Sequence, residues 1–424
     1  MKIAIIGGGA AGLMAAAAAR ETNPKAEIFL IEKNDGLGKK VIISGGGRCN
    51  LTTGIHEVRE VLTKYPRGGK FLSSAMYAFP PAEIFAWFET HGVPLKVEYD
   101  FRVFPQSDDG KDIVRVFETL FEKTNVHVLL HSSVERIEKE GEKFLVEIKD
   151  GDEPLLMDRV ILTTGGQAYR QTGSTGDGYA FATALGHSIT PLAPSLSSFS
   201  TREVWPAEVS GLSFASAKIS VKLSSKTYFT GPFLFTHKGV SGPAVFALSS
   251  LVAFEKISVE RPLEISIDLF PERTYEQLRI RLVQALEGTP KKNVQNALLA
   301  ILSKTFAQVL ERELHLENKR ANELSKKDIL SIVTWLKGIP LHVTSRGIGD
   351  EFVTAGGVNL KEVNPKTMES LLCPGLFFAG EILDIDGFTG GFNLTASWAT
   401  GRCAGRNAAS EIHLLPPPLS RMGF

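Results

Sequence analysis

Gly7, Gly9 and Gly12, followed by a carboxylate at Glu32, form the arrangement in this 424-residue chain whose chemistry is easiest to read. Spaced G-x-G-x-x-G between a strand and a helix, the first glycine permits a tight turn and the second lets backbone approach a pyrophosphate. The third lets the helix pack on the strand. The helix start at Ala10 and Ala11 then faces phosphate charge, and Glu32, twenty residues after the last glycine, is placed to accept ribose hydroxyls. Lys33 follows directly and does not strictly exclude a phosphorylated ribose, although Glu32 would repel one. A purely structural glycine turn is the bland alternative, but strand, helix and acid together point to a dinucleotide.

Other residues with chemical potential fall in glycine-rich loops. The loop from Gly36 to Gly47 ends in Gly45-Gly46-Gly47, where backbone can approach a ligand with no Cβ in the way, and it runs into Arg48, Cys49 and Asn50. Thr164-Gly165-Gly166 follows a strand, and Gly380-Glu381 follows another. His237 lies in a Gly/Pro-rich stretch. Cys49, Cys373 and Cys403 are odd in number and far apart, which points neither to a disulfide framework nor to a zinc site. No metal ligand set is read from the sequence.

These residues need a scaffold. Lys2–Ile6 reads as a buried strand, residues 10–21 as an alanine-rich helix and Glu27–Ile31 as a second strand, a βαβ start. Helices are predicted over 80–91, 111–123 and 179–185, and strands over 126–130, 134–137, 144–149 and 159–163. From about Leu192 the pattern changes to short alternating stretches, residues 217–223 and 263–269 among them, which read as antiparallel strands. Residues 275–336 read as helical, with an apolar stripe of Val294, Leu298, Ile301, Phe306, Leu310 and Leu314 that Ile329, Ile332, Val333 and Leu336 continue. Near Leu341 the pattern reverts: residues 376–379 are a strand, and Thr389-Gly390-Gly391 precedes a helix over 394–409. One domain interrupted by an insertion of domain size is the expectation.

Three long segments carry a family resemblance: Ile43-Ser44-Gly45-Gly46-Gly47-Arg48-Cys49-Asn50, Phe235-Thr236-His237-Lys238-Gly239-Val240-Ser241-Gly242-Pro243, and residues 380–393, GEILDIDGFTGGFN. With Thr354-Ala355-Gly356-Gly357-Val358 and residues 365–370 added, the chain resembles the YhiN/BaiN-like FAD-dependent oxidoreductases almost end to end. The resemblance implies an α/β fold: a glutathione-reductase-like, Rossmann-type FAD-binding domain (1–191 and 342–424). It is interrupted by an inserted β-barrel-like domain (192–272) and a helical subdomain (273–341). Non-covalent FAD is the implied resident dinucleotide. Thr53 stands where an asparagine is expected, which touches one hydrogen bond near the flavin.

With a flavin in view, the residues expected at the cofactor are the glycine turn with Ala10 and Ala11, Glu32, Lys33, Lys40, and the loop Ser44 to Asn50. Thr164, Gly165, Gly166, Gly380, Glu381 and Asp384 follow, and Gly391, Phe392, Asn393 and Leu394 complete the set. Asp384 would accept ribitol or ribose hydroxyls, or, with Asp386, only cap a turn. The last helix would aim its N-terminus at the flavin N1–C2=O edge, where negative charge collects on reduction. Arg48 could lower the pKa of Cys49 and make it reactive; a packing thiol fits as well. Position 54 is glycine, so the second cysteine of a CxxxxC redox pair is missing. His237 could reach the flavin as a proton donor or be a structural loop residue. Cys49, His237 and Arg48 are therefore the catalytic candidates.

Composition sets the outer limits. With 47 basic against 47 acidic residues, nothing draws the chain generally to nucleic acid or anionic lipid, although a local basic patch remains compatible. The apolar start is broken by Gly7-Gly8-Gly9, unlike a signal peptide, and no apolar run reaches a membrane span. A cytoplasmic, reducing setting is expected. The favoured activity is hydride transfer at flavin N5 with a small organic substrate, in the space between FAD domain and insert. NAD(P)H is a transient donor in this reading, because only one GxGxxG is present, and oxygen is the other possible acceptor. The alternatives are an FAD-dependent tRNA-modifying protein and a flavin-bound interaction protein without catalysis. Oligomeric state is not readable.

Overall fold

The computed structural model describes residues 1–223, 226–347 and 351–410. They form two compact units: Met1–Pro191 with the chain from Gly356 onward, and Leu192–Ala355.

The first unit is built on a five-stranded parallel sheet in the order Leu376–Phe378, Arg159–Leu162, Lys2–Ile6, Glu27–Ile31, Val126–Leu129. Its strands are rich in Ile, Val, Leu and Phe, as strands covered on both faces are, and Ile3, Ile5, Val160 and Ile161 are wholly buried. The chain's first strand lies at the centre of the sheet, between Arg159–Leu162 and Glu27–Ile31, and the edge strand Leu376–Phe378 comes from the far end of the chain. Ala10–Thr22, the first helix, is buried through most of its length against the last helix, Phe392–Ala409. Small side chains make that approach possible: a Cβ on Gly401 would lie 2.4 Å from the Ala11 carbonyl oxygen, and one on Gly405 2.2 Å from that of Ala15. Two antiparallel three-stranded sheets complete this unit, one of them carrying Thr52–Thr53. The helix Gly69–Ala78 has no counterpart in the sequence reading.

The second unit contains a closed barrel of six strands, ordered Phe199–Thr201, Gly239–Ser241, Lys226–Thr236, Ser213–Lys222, Leu263–Asp268, Ile339–Arg346. Alternation drives it: Ala217, Ile219, Val221, Ile265, Ile267, Leu341 and Val343 are buried, with polar residues between them. Four helices follow: Tyr275–Glu287, Val294–Leu298, Lys304–Glu313 and Lys326–Leu336. The expected apolar stripe exists but is split over two helices, and its one five-residue step, Ile301 to Phe306, marks the break. Thr274 and Ser325 open their helices with capping boxes.

The domain boundaries differ from those expected. Barrel and helices share one hydrophobic core, with Phe235 and Phe306 ring centroids 5.6 Å apart, so 192–272 and 273–341 do not separate into two bodies. The unit also runs past Leu341 to Ala355, because Ile339–Arg346 pairs with both Leu263–Asp268 and Phe199–Thr201 and so closes the barrel. Among the described residues no helix is long and apolar enough to cross a membrane.

Candidate functional site

The glycine turn is sterically enforced. Gly7 adopts φ +108, and a Cβ there would sit 2.7 Å from the Thr163 carbonyl oxygen; one on Gly12 would lie 1.9 Å from the Gly7 oxygen. At Gly9 a Cβ would meet nothing within 4 Å. Gly9 is also the N-cap of Ala10–Thr22, with no side-chain cap and no acid in the first turn, so this helix end keeps its N–H groups and positive dipole for an anion. Packing therefore explains two of the three glycines, and ligand space explains the middle one.

Glu32 is buried at the end of its strand, where Oε2 accepts from the Gly8 N–H at 2.7 Å and Oε1 from the Asn34 N–H and Nδ2 at 2.8 and 2.7 Å. The turn and the acid are thus one hydrogen-bonded assembly. Lys33 points elsewhere, to Thr175 Oγ1 and Asp177 Oδ2, both at 2.6 Å, and ties the second strand to the 173–178 loop. Lys40 and Glu381, 341 positions apart, form an ion pair of 2.7 Å.

The loop at 44–50 follows the same logic. Gly46 and Gly47 would carry a Cβ into open space. Cys49 accepts the left-handed conformation, φ +59, and its N–H donates to the Ser44 carbonyl at 2.9 Å. Its side chain is wholly buried, and burial pushes the thiol up to about 12, against a smaller opposing pull from Ser44. Arg48 does not lower it. The guanidinium stacks 3.9 Å above the Phe104 ring and pairs with Glu98 at 2.7 Å and Asp108 at 3.4 Å, and the bond to Glu98 raises its own pKa. Of the two readings open for Cys49, burial favours the packing thiol over the activated thiolate. His237 lies exposed in the turn between Lys226–Thr236 and Gly239–Ser241 of the second unit.

The chain's end contributes the rest. Gly380 packs on Ala11, and its N–H donates to Thr400 Oγ1 at 3.0 Å. Phe392–Ala409 begins two residues earlier than expected, so Phe392 is its first residue and Leu394 lies half-buried in its first turn. Its N-cap Gly391, at φ +85, offers no side-chain cap, and a Cβ there would strike the Thr52 carbonyl oxygen at 2.3 Å. The Asn393 side chain is spent on the preceding loop, accepting from the Gly387 N–H and donating to the Gly387 carbonyl, each at 2.8 Å.

Among the described residues nine buried side-chain polar atoms have no hydrogen-bond partner, and four of them, Asn50 Oδ1, Thr164 Oγ1, Tyr179 OH and Asp384 Oδ1, belong to or adjoin the glycine-rich segments. Burial pushes the Asp384 carboxyl up, against Thr190 and Arg67, which pull it down. Unsatisfied buried groups cost about 1–3 kcal/mol each, and a ligand offering partners to these four would relieve that cost. With the open space at Gly9, Gly46 and Gly47 and two uncapped helix ends, the residues present fit FAD.

Sequence reasoning missed several supports. Tyr179 carries no motif, and burial followed by repulsion from Glu381 and Asp384 raises its hydroxyl. Arg67 forms an ion pair with the fully buried Asp386, and Tyr65 OH donates to the Phe392 carbonyl at 2.7 Å. Thr52 and Thr395 share a buried 2.9 Å hydrogen bond, and Trp398 Nε1 donates to the Leu51 carbonyl at 3.0 Å. The readable signal was Gly401-x-x-x-Gly405, a close-packing helix face.

Comparison with known proteins agrees with this geometry. Residues 1–407 match the family described as HI0933-like protein Rossmann domain. The chain is 31% identical over 414 residues to a 3-dehydro-bile acid delta(4,6)-reductase of Clostridium scindens, covering 97% of this chain and 99% of that one. It is 27% identical over 398 residues to a ribosomal RNA dihydrouridine synthase of Escherichia coli, covering 93% and 95%. Among solved structures, the 3-ketosteroid-delta4-(5alpha)-dehydrogenase of Rhodococcus jostii is similar with a TM-score of 0.51 at 16% identity, covering 96% of both chains, a likeness of fold.

Proposed function

The chain belongs to the HI0933-like Rossmann family, and on that premise we propose that it reduces a carbon–carbon double bond conjugated to a carbonyl group. It is an FAD-dependent oxidoreductase. The observation that carries the finer reading is that two relatives matched over nearly the whole chain have different substrates in their names but one bond type in common. A 3-dehydro bile acid places its 4,6 double bonds in conjugation with a ketone, and uracil becomes dihydrouracil by saturation of the double bond conjugated to its carbonyl.

Bound FAD supplies hydride chemistry at its N5. The chain's own work is binding and charge placement. Gly9 and the first helix end would hold the pyrophosphate, Glu32 would take the ribose, and the 44–50 loop would supply further backbone contacts to the cofactor. Thr164, Asp384 and Tyr179 would offer it their unpartnered polar atoms. The uncapped N-terminus of Phe392–Ala409 favours negative charge beside it, as a reduced flavin requires. Cys49 packs. His237 is the side chain to substitute first in search of the proton donor, and Arg48 positions its loop through Glu98 and Phe104. NAD(P)H delivers the electrons as a visitor, and three unpaired cysteines fit a cytoplasmic setting.

Two carriers of that bond follow from the relatives' names, a small conjugated steroid acid, which the overall neutrality of the chain fits, and uracil in RNA, which the uneven distribution of its charge fits. The test is anaerobic. The yellow protein is reduced with NADPH or NADH, then mixed with a 3-oxo-4,6-diene steroid acid or with ribosomal RNA lacking dihydrouridine. Reoxidation of the flavin with gain of two hydrogens by either compound supports the reading. A flavin that returns its electrons only to oxygen, or that oxidises alcohols or amines instead, overturns it.

A further inference from the structure

We propose that the helical part of the second unit carries a docking surface for the phosphate backbone of RNA, which rests on the reading of uracil as one carrier of the reducible bond.

Charge is unevenly distributed along this chain. Between Arg273 and Leu341 there are twelve Lys and Arg against seven Asp and Glu, although the chain as a whole is balanced at 47 to 47. The fold concentrates that excess. Asn293 and Arg320 form an antiparallel bridge, flanked by Val294 N–H to the Lys319 carbonyl at 3.1 Å and Ala321 N–H to the Lys292 carbonyl at 2.9 Å. Lys291 and Lys292 are thereby set beside Lys319 and Arg320. Lys319 reaches Asp328 at 3.2 Å, in the first turn of Lys326–Leu336, so Lys326 and Lys327 join the same cluster.

Lys291, Lys292, Arg320, Lys326 and Lys327 are all exposed, and none forms an ion pair among the described residues. The nearby acids are largely committed: Asp328 to Ser325 and Lys319, and Glu323 to the Arg320 N–H at 2.8 Å. Glu287 and Glu317 remain as exposed acids of the same region. Lys326 and Lys327 occupy the first two positions of an 11-residue helix, where the dipole disfavours cations. Unpaired cations gathered from two loops and a helix start, two of them placed against the dipole, are relieved together by a polyanion running across them. RNA is the polyanion that also presents the reducible bond.

The test uses the full-length FAD-loaded protein and a fluorescently labelled RNA hairpin with a uridine-rich loop, followed by anisotropy against salt. Five phosphate contacts predict a slope of log affinity on log salt of about −3.5 to −4.5, a loss of roughly 100- to 500-fold from 50 to 200 mM. Lys291→Gln with Lys292→Gln should lower the slope's magnitude by about 2 and weaken binding, and Lys→Arg at both positions should restore it. Reduction of the small conjugated substrate should be unchanged in every variant. The surface is overturned if RNA does not bind at 50 mM salt, if the Gln variants bind as the parent does, or if vesicles of anionic lipid bind and RNA does not. RNA binding through these lysines with no reduction of any conjugated bond would instead sink the reaction and leave the surface standing.

Discussion

Cys49 is expected to behave as a buried packing thiol, and the consequence is measurable as a pH dependence of stability. Burial raises it from 9.0 to about 12 in the folded chain. As pH rises, the unfolded chain therefore loses this proton first, so the contribution to stability is complete below about pH 9 and disappears as pH climbs toward 12. At 1.36 kcal/mol per unit, the three-unit window corresponds to about 4 kcal/mol, with roughly 2–3 kcal/mol of it lost between pH 9 and 11. The assay is urea unfolding from about pH 8 to 11, comparing the protein with Cys49→Ala, both carrying Cys373→Ser and Cys403→Ser so that no other thiol titrates. The parent's stability should fall more steeply than the variant's by that amount. Native Cys49 should also resist iodoacetamide near pH 8 and give no thiolate band beside the oxidised flavin. Parallel stability curves, or labelling of the native protein at the rate of a free thiol, would refute the assignment.

Gly12→Ala drives a methyl group into the Gly7 carbonyl, 1.9 Å away, and should cost about 1–3 kcal/mol with loss of flavin, read by thermal melting and the flavin-to-protein absorbance ratio. Glu32→Ala removes an acceptor of three hydrogen bonds and should weaken FAD retention by about 1–3 kcal/mol; unchanged affinity would mean the ribose is held elsewhere. Ile189 and Val358 are bridged, and the Thr190 N–H reaches the Gly357 carbonyl at 2.8 Å, so a short Gly/Ser linker can replace Leu192–Ala355. That protein should bind FAD and lose turnover, and native turnover would place substrate selection wholly in the first unit.

What the sequence revealed depended on whether a signal was local. Lys2–Ile6 and Glu27–Ile31 were read to the residue, because a fully buried parallel strand is a short apolar run bounded by turn residues. Ile339–Arg346 was missed as a barrel strand because its membership depends on pairing with Leu263–Asp268, which lies on the far side of four helices in sequence. Candidate site residues divide the same way. Gly7, Gly12 and Glu32 announce themselves by spacing. Arg48 next to Cys49 looked like an electrostatic pair, yet adjacency in sequence does not fix direction, and Phe104, Glu98 and Asp108 claim the guanidinium. Tyr179 has no neighbours in sequence that mark it, and only burial exposes its unused hydroxyl.

The unpartnered atoms explain why this site is assembled from both ends of the chain. Asn50, Thr164, Tyr179 and Asp384 belong to four segments, and three of these are pinned by contacts that do not depend on a ligand. The segment after Asn50 is held by Leu51 to Trp398, Thr164 by the neighbouring Thr163, whose hydroxyl bonds the Ile6 and Gly7 carbonyls, and Asp384 by its N–H to the Val358 carbonyl. Packing between Ala11, Ala15, Gly401 and Gly405 locks the two helices whose uncapped N-termini would frame the proposed cofactor. A backbone held by such contacts would present the left-over polar atoms to a ligand at little further cost in conformational entropy. Binding a large dinucleotide non-covalently requires this division: the cost of ordering is met during folding, and the unsatisfied groups then return their desolvation penalty to FAD.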